Sequence, residues 1–305
     1  MPIQLAVSPI AWSNSDLPEL GGDTSLETCL SEIREAGFTG TETGIKFPNN
    51  PDMLGPMLRN YHLQLASGWF SGTLLECSVD QEFNNLKSTM RTFKKLGSNV
   101  LVYAETSNST QGLKNVPLRR SPRMSDSELK QYGHKLTKLA DRMSAFGVSM
   151  AYHHHLATMI ETERDIDLLM THTGPSVGLL MDTGHLALAG GDIEATTLRH
   201  GARIRHVHCK DLRQEVVVEV RKRNMSFLDA VLKGVFTVPG DGFLDFENFA
   251  RCLSDIEYSG WVVIEAEQDP EKAPPLKYSI RGKEHITAVL NRASLTVLQE
   301  TTRAP

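Results

Sequence analysis

The sequence predicts an α/β chain folded as a single (β/α)8 barrel, eight parallel strands ringed by helices, with residues 1–305 as one domain. Three observations carry that reading. Short β-rich runs alternate with longer runs of helical period, the pattern of repeated βα units. The strand-like runs number eight, the count a closed barrel needs. Four of them end in side chains of metal-ligand type: MAYHHH, LLMDTGH, IRHVHCKD and WVVIEAE. These endings reach His153–His155, Asp182 with His185, His208 with Asp211, and Glu265 with Glu267. A parallel barrel gathers its strand C-termini at one face, where such groups converge.

The expected strands lie near 4–12, 40–44, 64–70, 99–105, 149–155, 177–183, 204–210 and 260–266. Thr24 with Glu27 marks the start of a first helix, and Asn50-Pro51-Asp52 opens a second. Phe83, Leu86, Met90 and Phe93 recur at steps of three and four, as do Leu129, Tyr132, Leu136, Leu139 and Met143. Both runs predict helices with one face on a core. Ser125 followed by Glu128 is a capping box ahead of the later one. Residues 280–298 predict a last, polar-faced helix.

Two segments exceed a minimal barrel. Residues 106–124 are polar, basic and rich in Pro and Gly, a long loop after the fourth strand. Residues 212–244 hold a charged valine-rich run at 215–223 that suits helix or strand, a helix-like SFLDAVLKG and a PGDG turn at 239–242. Both follow strand C-termini, on the side where barrels carry functional loops.

With 40% hydrophobic residues the chain can bury a large core, and nothing in its bulk composition suggests disorder. The net charge of −5 counts against a nucleic-acid backbone as partner and fits a small molecule. Cys29, Cys77, Cys209 and Cys252 form no CxxC pair and read as free thiols of a reducing compartment. By strand alternation Cys209 turns away from the face that carries His208. The N-terminus lacks a basic region and a sufficient apolar run for a signal peptide, and no stretch approaches a membrane span. The expectation is a cytoplasmic protein with no membrane partner.

Parity sharpens the metal hypothesis. Residues i and i+2 of a strand share a face, so His153 pairs with His155, His206 with His208 and Lys210, and Glu265 with Glu267. Several polar groups on one side of a barrel strand are tolerable only at the open mouth, where water, metal or substrate satisfies them. Taken singly, each has a blander reading: a lone buried histidine is more often a hydrogen-bonded core residue, and an Asp before Thr-Gly is usually a turn or cap. Four such endings together favour metal. Mixed carboxylate and imidazole ligands suit Mn²⁺, Co²⁺, Zn²⁺ or Fe²⁺ rather than Ca²⁺, and the lack of Cys ligands argues against a structural zinc.

The strings YHHHLATMIET, MDTGHLALAGGD, HVHCKD, GVFTVPGDG and GWVVIEAEQDP resemble the inosose dehydratases, within the xylose-isomerase-like TIM barrel superfamily. The likeness extends to PIAWSNSDLPELGGDTSLETCLSEIREAGFTG and SGWFSGTLLE and so spans almost the whole chain. It implies a TIM barrel, a divalent metal, with Mn²⁺ or Co²⁺ ahead of Zn²⁺, Mg²⁺ or Fe²⁺, and dehydration of 2-keto-myo-inositol (scyllo-inosose) to a trihydroxycyclohexane-dione. Homodimers or homotetramers are a further implication. In the superfamily the metal is held by Glu, Asp, His and Glu at successive strand ends. Asp182, His208 and Glu265 match the last three. The first has no carboxylate counterpart; His153, His155 and Glu161 are the alternatives there. In TETGIKF, Thr43 stands where the family usually has Leu, while Glu42 and Lys46 are retained.

Dehydrating a β-hydroxy ketone requires a base for the α-proton, stabilisation of the enolate and protonation of the departing hydroxyl. His155 and His185 are the candidate bases, with Glu42 and Glu267 behind them; Lys46 or Lys210 would donate to the enolate or the leaving oxygen. Trp12 and Trp69, with Phe70, would wall a sugar-like ring or simply pack at strand ends. Ser67, Ser71 and Arg213 complete the substrate-binding candidates. Three rival classes remain: an isomerase, epimerase or keto-glycoside eliminase on the same barrel; a nucleic-acid repair enzyme like endonuclease IV, which the acidic balance disfavours; and a non-catalytic sugar sensor.

Overall fold

A computed structural model describes residues 2–298 and contains all eight expected strands. They are β1 (Pro2–Val7), β2 (Gly40–Thr43), β3 (Gln64–Gly72), β4 (Val100–Glu105), β5 (Ser149–His153), β6 (Val177–Asp182), β7 (Ile204–Cys209) and β8 (Gly260–Ile264). Each pairs in parallel with its sequence neighbour, and β8 closes on β1 with Val7 opposite Ile264. Closure leaves no open edge among the barrel strands. The first strand is shorter than expected. Pro9, which has no N–H to give to a ladder, starts a 3-10 turn at Pro9–Ala11.

The outer helices begin where their caps dictate. α1 (Leu26–Glu35) is capped by Ser25, not Thr24, because the Ser25 side chain accepts from Thr28 N–H. α2 (Pro51–Asn60) starts on Asn50, α3 (Val79–Lys95) on a Ser78–Gln81 capping box and α4 (Asp126–Phe146) on the expected Ser125–Glu128 box. α5 (Glu163–His172), α6 (Thr183–Leu188) and α7 (Ile193–His200) follow. The ambiguous run is α8 (Gln214–Arg223), a helix because Val216, Val217 and Val220 all reach one buried face. α9 (Phe227–Leu232), α10 (Phe246–Asp255) and α11 (Pro275–Arg292) complete the set. The last helix therefore starts before residue 280 and ends well before 298; Thr296–Val297 instead add a short strand beside β1.

Inside the barrel two small apolar groups form the floor, Ala6 with Ala66 and Val263, and Val102 with Ala151 and Leu180. Two residues further along the same strands, and hence on the same side, stand His153, Asp182 and Glu265. The apolar filling thus gives way to a polar layer at the C-terminal face.

Of the insertions, 106–124 carries only a 3-10 turn at Leu118–Arg120. Residues 212–244 pack α8 and α9 into a second apolar cluster, in which Leu156, Leu188, Val217, Phe227 and Phe236 meet. A ribbon of Asp211–Leu212 against Phe236–Thr237 anchors it. Asp211, a ligand-type residue in the sequence, serves this loop. Its carboxylate accepts the N–H groups of Leu212, Gly240, Gly242 and Leu244 at 2.8–3.0 Å. No helix among the described residues is long and apolar enough to cross a membrane.

Candidate metal centre

β6 and β7 lie in register with Asp182 opposite His208, so the two side chains start side by side at the barrel mouth. His208 Nδ1 is 3.7 Å from Asp182 Oδ2 and faces Glu265 Oε2 directly. His153 Nε2 approaches the same Asp182 oxygen at 3.6 Å. The bond on the other side of the His208 ring fixes its tautomer. Glu42 Oε1 accepts from His208 Nε2 at 3.1 Å, from His206 Nε2 at 2.9 Å and from Ser67 Oγ at 2.7 Å. A carboxylate holding Nε2–H leaves the Nδ1 lone pair turned toward Asp182 and Glu265.

Those facing atoms are in want of a partner. Asp182 Oδ2, Glu265 Oε2, Glu267 Oε2 and His208 Nδ1 are buried and none makes a hydrogen bond. Lone pairs set against lone pairs repel unless a cation lies among them. The charge count agrees. With His208 neutral, as an ion on Nδ1 requires, Glu42, Asp182, Glu265 and Glu267 are four buried carboxylates against the one buried ammonium of Lys210, which leaves three negative charges. The local field reflects this. A proton can meet the same field in place of an ion: burial opposes charge on His208, yet Glu42 and Glu265 raise it well above the ordinary imidazole value, and a proton on Nδ1 then answers Glu265. Burial likewise opposes ionisation of Glu265, but Lys210 and His208 hold it down at about 2, and Lys210 and His185 hold Asp182 well below its usual value. Residues present fit a divalent ion held by His153, Asp182, His208 and Glu265, an N2O2 set suited to first-row divalent metals. At β5 the histidine His153, rather than His155 or Glu161, stands beside Asp182.

The cavity above this layer has a volume of about 410 Å³. Glu42, Trp69, Ser71, His153, His155, His208, Glu265 and Glu267 line it. His155 bonds Leu156 O through Nδ1 at 2.8 Å, which leaves Nε2 with its lone pair. Burial, and then His185, keep His155 well below the usual imidazole value, so the ring is neutral. Trp69 meets His153 and His155 edge-on, with centroids 5.4 and 5.6 Å away, and supplies the aromatic wall. Thr43, where the resemblance expects Leu, also lines the cavity, with its hydroxyl against Gly68.

Several expected site residues are engaged elsewhere. Trp12 is buried in the outer core with its Nε1–H on Glu32 at 2.6 Å, so it offers no wall to a substrate. Lys46 donates to the backbone carbonyls of Gly21, Gly22 and Thr24, tying down the loop before α1. Arg213 clamps Gly234 O, Phe236 O, Asp241 and Gln268 at 2.7–3.0 Å. Glu161 accepts from Ala157 N–H at 2.7 Å and so supports a residue at φ +63 in the turn after His155. Ser67 is fully buried beneath Glu42. His185 and Lys210 stand behind the ligands: both are enclosed, and Lys210 Nζ donates to His185 Nε2 at 2.9 Å, which removes that lone pair from base chemistry.

Three residues emerge that the sequence reading passed over. His154 faces away from the mouth, where its Nε2 accepts from Asp182 N–H; burial and then His153 push it to about 3. Asp16 and Gln111 line the cavity from the loops after β1 and β4, with Gln111 Nε2 donating to Asp16 at 3.5 Å. Burial, then Glu267, push Asp16 up to about 6. Their position after strand C-termini was the available signal.

Eight parallel strands closed into a barrel, with ligand-type side chains from β5 to β8 meeting at the C-terminal mouth, define a metal-centred TIM barrel. A family model described as xylose isomerase-like TIM barrel matches residues 30–288, and the chain belongs to that family. It is 49% identical over 286 residues to the rhizopine catabolism protein MocC of Rhizobium meliloti, covering 94% of this chain and 88% of that one. It is also 41% identical over 286 residues to an inosose dehydratase of Geobacillus thermodenitrificans, covering 93% and 96%. An inosose dehydratase of Lacticaseibacillus casei shares 39% over 293 residues, covering 95% and 98%. Among solved structures, the fold matches the IolI protein with a bound zinc atom at a TM-score of 0.69 and 19% identity, covering 95% of this chain and 99% of that one. An L-ribulose 3-epimerase matches at 0.68 and 14%, covering 96% of each chain.

Proposed function

We propose that this protein is a metal-dependent hydro-lyase of the inosose dehydratase type, converting 2-keto-myo-inositol to a trihydroxycyclohexane-1,2-dione. The observation that carries the reading is the excess of buried carboxylates over cations around Asp182, His208 and Glu265 atoms that make no hydrogen bond at the barrel mouth. Full-length relatives named inosose dehydratase support the substrate. His153, Asp182, His208 and Glu265 would hold the ion, which when bound supplies Lewis acidity to the ketone.

The remaining work falls to the chain. Trp69 packs against the ring of the substrate, and the hydroxyl of Ser71 faces its polar edge. Neutral His155 accepts the α-proton at Nε2. The electrons of that C–H bond form the new C=C while the β C–O bond breaks. The proton held by His155 returns to the departing hydroxyl, which leaves as water. The product enol, carrying the α-hydroxyl on its double bond, then tautomerises to the 1,2-dione. Glu267, fixed by Lys210 at 2.9 Å, stands by to steady the imidazolium during transfer. The finer parts of the reading are Mn²⁺ or Co²⁺ as the ion, a cytoplasmic setting and a homodimer or homotetramer.

Purified protein loaded with Mn²⁺ or Co²⁺ and given scyllo-inosose should develop the ultraviolet absorbance of the dione. Interconversion of sugars without water loss would favour an isomerase instead, and binding without turnover a sensor. The MocC relationship supports a second reading, service in rhizopine breakdown; a deletion strain that loses growth on rhizopine but keeps it on myo-inositol would select it.

A further inference from the structure

Beside the ligand group lies a second one. Ligand atoms of His155, His185 and Glu267 all fall within 4.8 Å of one another, and all three residues are buried. The two imidazoles are in close contact, with centroids 3.9 Å apart and planes tilted by 41°. A trio of two histidines and a carboxylate is a divalent-metal set in its own right. Here a side chain already fills it. Lys210 Nζ lies 2.9 Å from His185 Nε2 and 2.9 Å from Glu267 Oε1, and its ammonium has no exposure.

The same nitrogen is 3.1 Å from Glu265 Oε1 and 3.7 Å from Asp182 Oδ2. Glu265 therefore gives one oxygen to Lys210 and turns the other toward His208. Asp182 Oδ2 is likewise shared between the two sides. Carboxylates that bridge two positive centres in this way are the framework of two-metal sites. The lysine is built into place. Thr183 Oγ1 donates to Lys210 O at 2.8 Å and accepts from its N–H at 3.0 Å. The stem crosses Gly184, where an added Cβ would lie 2.8 Å from Lys210 Cβ and Cγ. The glycine of DTGH thus makes room for the lysine. The Phe236 ring lies 4.8 Å from Nζ.

We infer that Lys210 is a tethered second cation: its ammonium occupies a site that His155, His185 and Glu267 would otherwise offer to a second divalent ion. The inference rests on the metal centre proposed above and adds that this chain runs on one exchangeable ion and one fixed charge. Ions per chain decide it, read by equilibrium dialysis of chelator-treated protein against Co²⁺ and elemental analysis. Wild type should hold about one ion, Lys210→Met about two, and Lys210→Met with Glu267→Gln about one again. Lys210→Met at one ion per chain overturns the inference while leaving the primary centre intact. A double variant that still holds two overturns it as well, since the extra ion then lies elsewhere. Wild type with no ion removes the centre itself. Should Lys210→Met not fold in chelator, added Co²⁺ should restore a cooperative far-ultraviolet melt, and failure to do so overturns the inference.

Discussion

His208 and Glu42 are joined by one hydrogen bond, 3.1 Å from Nε2 to Oε1, and that bond decides which face of the imidazole is left for an ion. The residues are far apart in sequence, on β7 and β2, and only barrel closure brings them together. Glu42, a candidate base by residue type, is here the shared acceptor of His206, His208 and Ser67.

Glu42→Gln should weaken divalent-ion binding about 10–100-fold, the usual cost of losing a carboxylate behind a histidine ligand. A Co²⁺ titration followed by visible absorbance measures it. Unaltered affinity would mean that His208 is oriented by something else.

Asp182→Asn and His208→Ala should each abolish ion binding and dione formation while far-ultraviolet circular dichroism stays native. Asp182→Asn also relieves some buried carboxylate repulsion, and the strands that carry both residues rest on a large apolar core, so neither change should unfold the barrel. Full activity of either variant in metal-free buffer would eliminate the centre.

His155→Ala should lower kcat by about 10²–10⁴-fold with a much smaller effect on KM, as loss of a general base does. Solvent deuterium incorporation into residual substrate should fall with it. An unchanged rate would transfer the role to Asp16 or Glu267, the other proton-transfer groups that line the cavity.

Asp211→Ala should destabilise the 236–244 segment, because four N–H groups lose their common acceptor. A loss of about 2–4 kcal/mol is expected from urea melts, on the scale of unsatisfied buried donors. A loss under about 0.5 kcal/mol would show that water replaces the carboxylate.

The barrel was legible because strand runs and helix periods repeat, and because parity along β5 to β8 places alternate residues on one face. Strand endings and parity brought forward Asp182, His208 and Glu265 among other polar groups, and the family resemblance singled these three out as ligands. What the sequence hid is where long side chains end. Lys46 reads as a catalytic cation and Arg213 as a substrate-binding one in a string of letters, yet both reach backbone carbonyls of nearby loops. Lys210 and His185 sit at the right height but behind the ligands, a depth that strand alternation does not encode. The start of α1 slipped by one residue because Thr24 and Ser25 are both good caps, and only the bond from Thr28 chooses between them.

Asp16 and Gln111 reach over the cavity from two loops that hold none of the ion's ligands. The doorway and the cage are therefore separately adjustable. Substitutions at Asp16 and Gln111 can reshape the entrance while the ligand-type residues of β5 to β8 stay as they are.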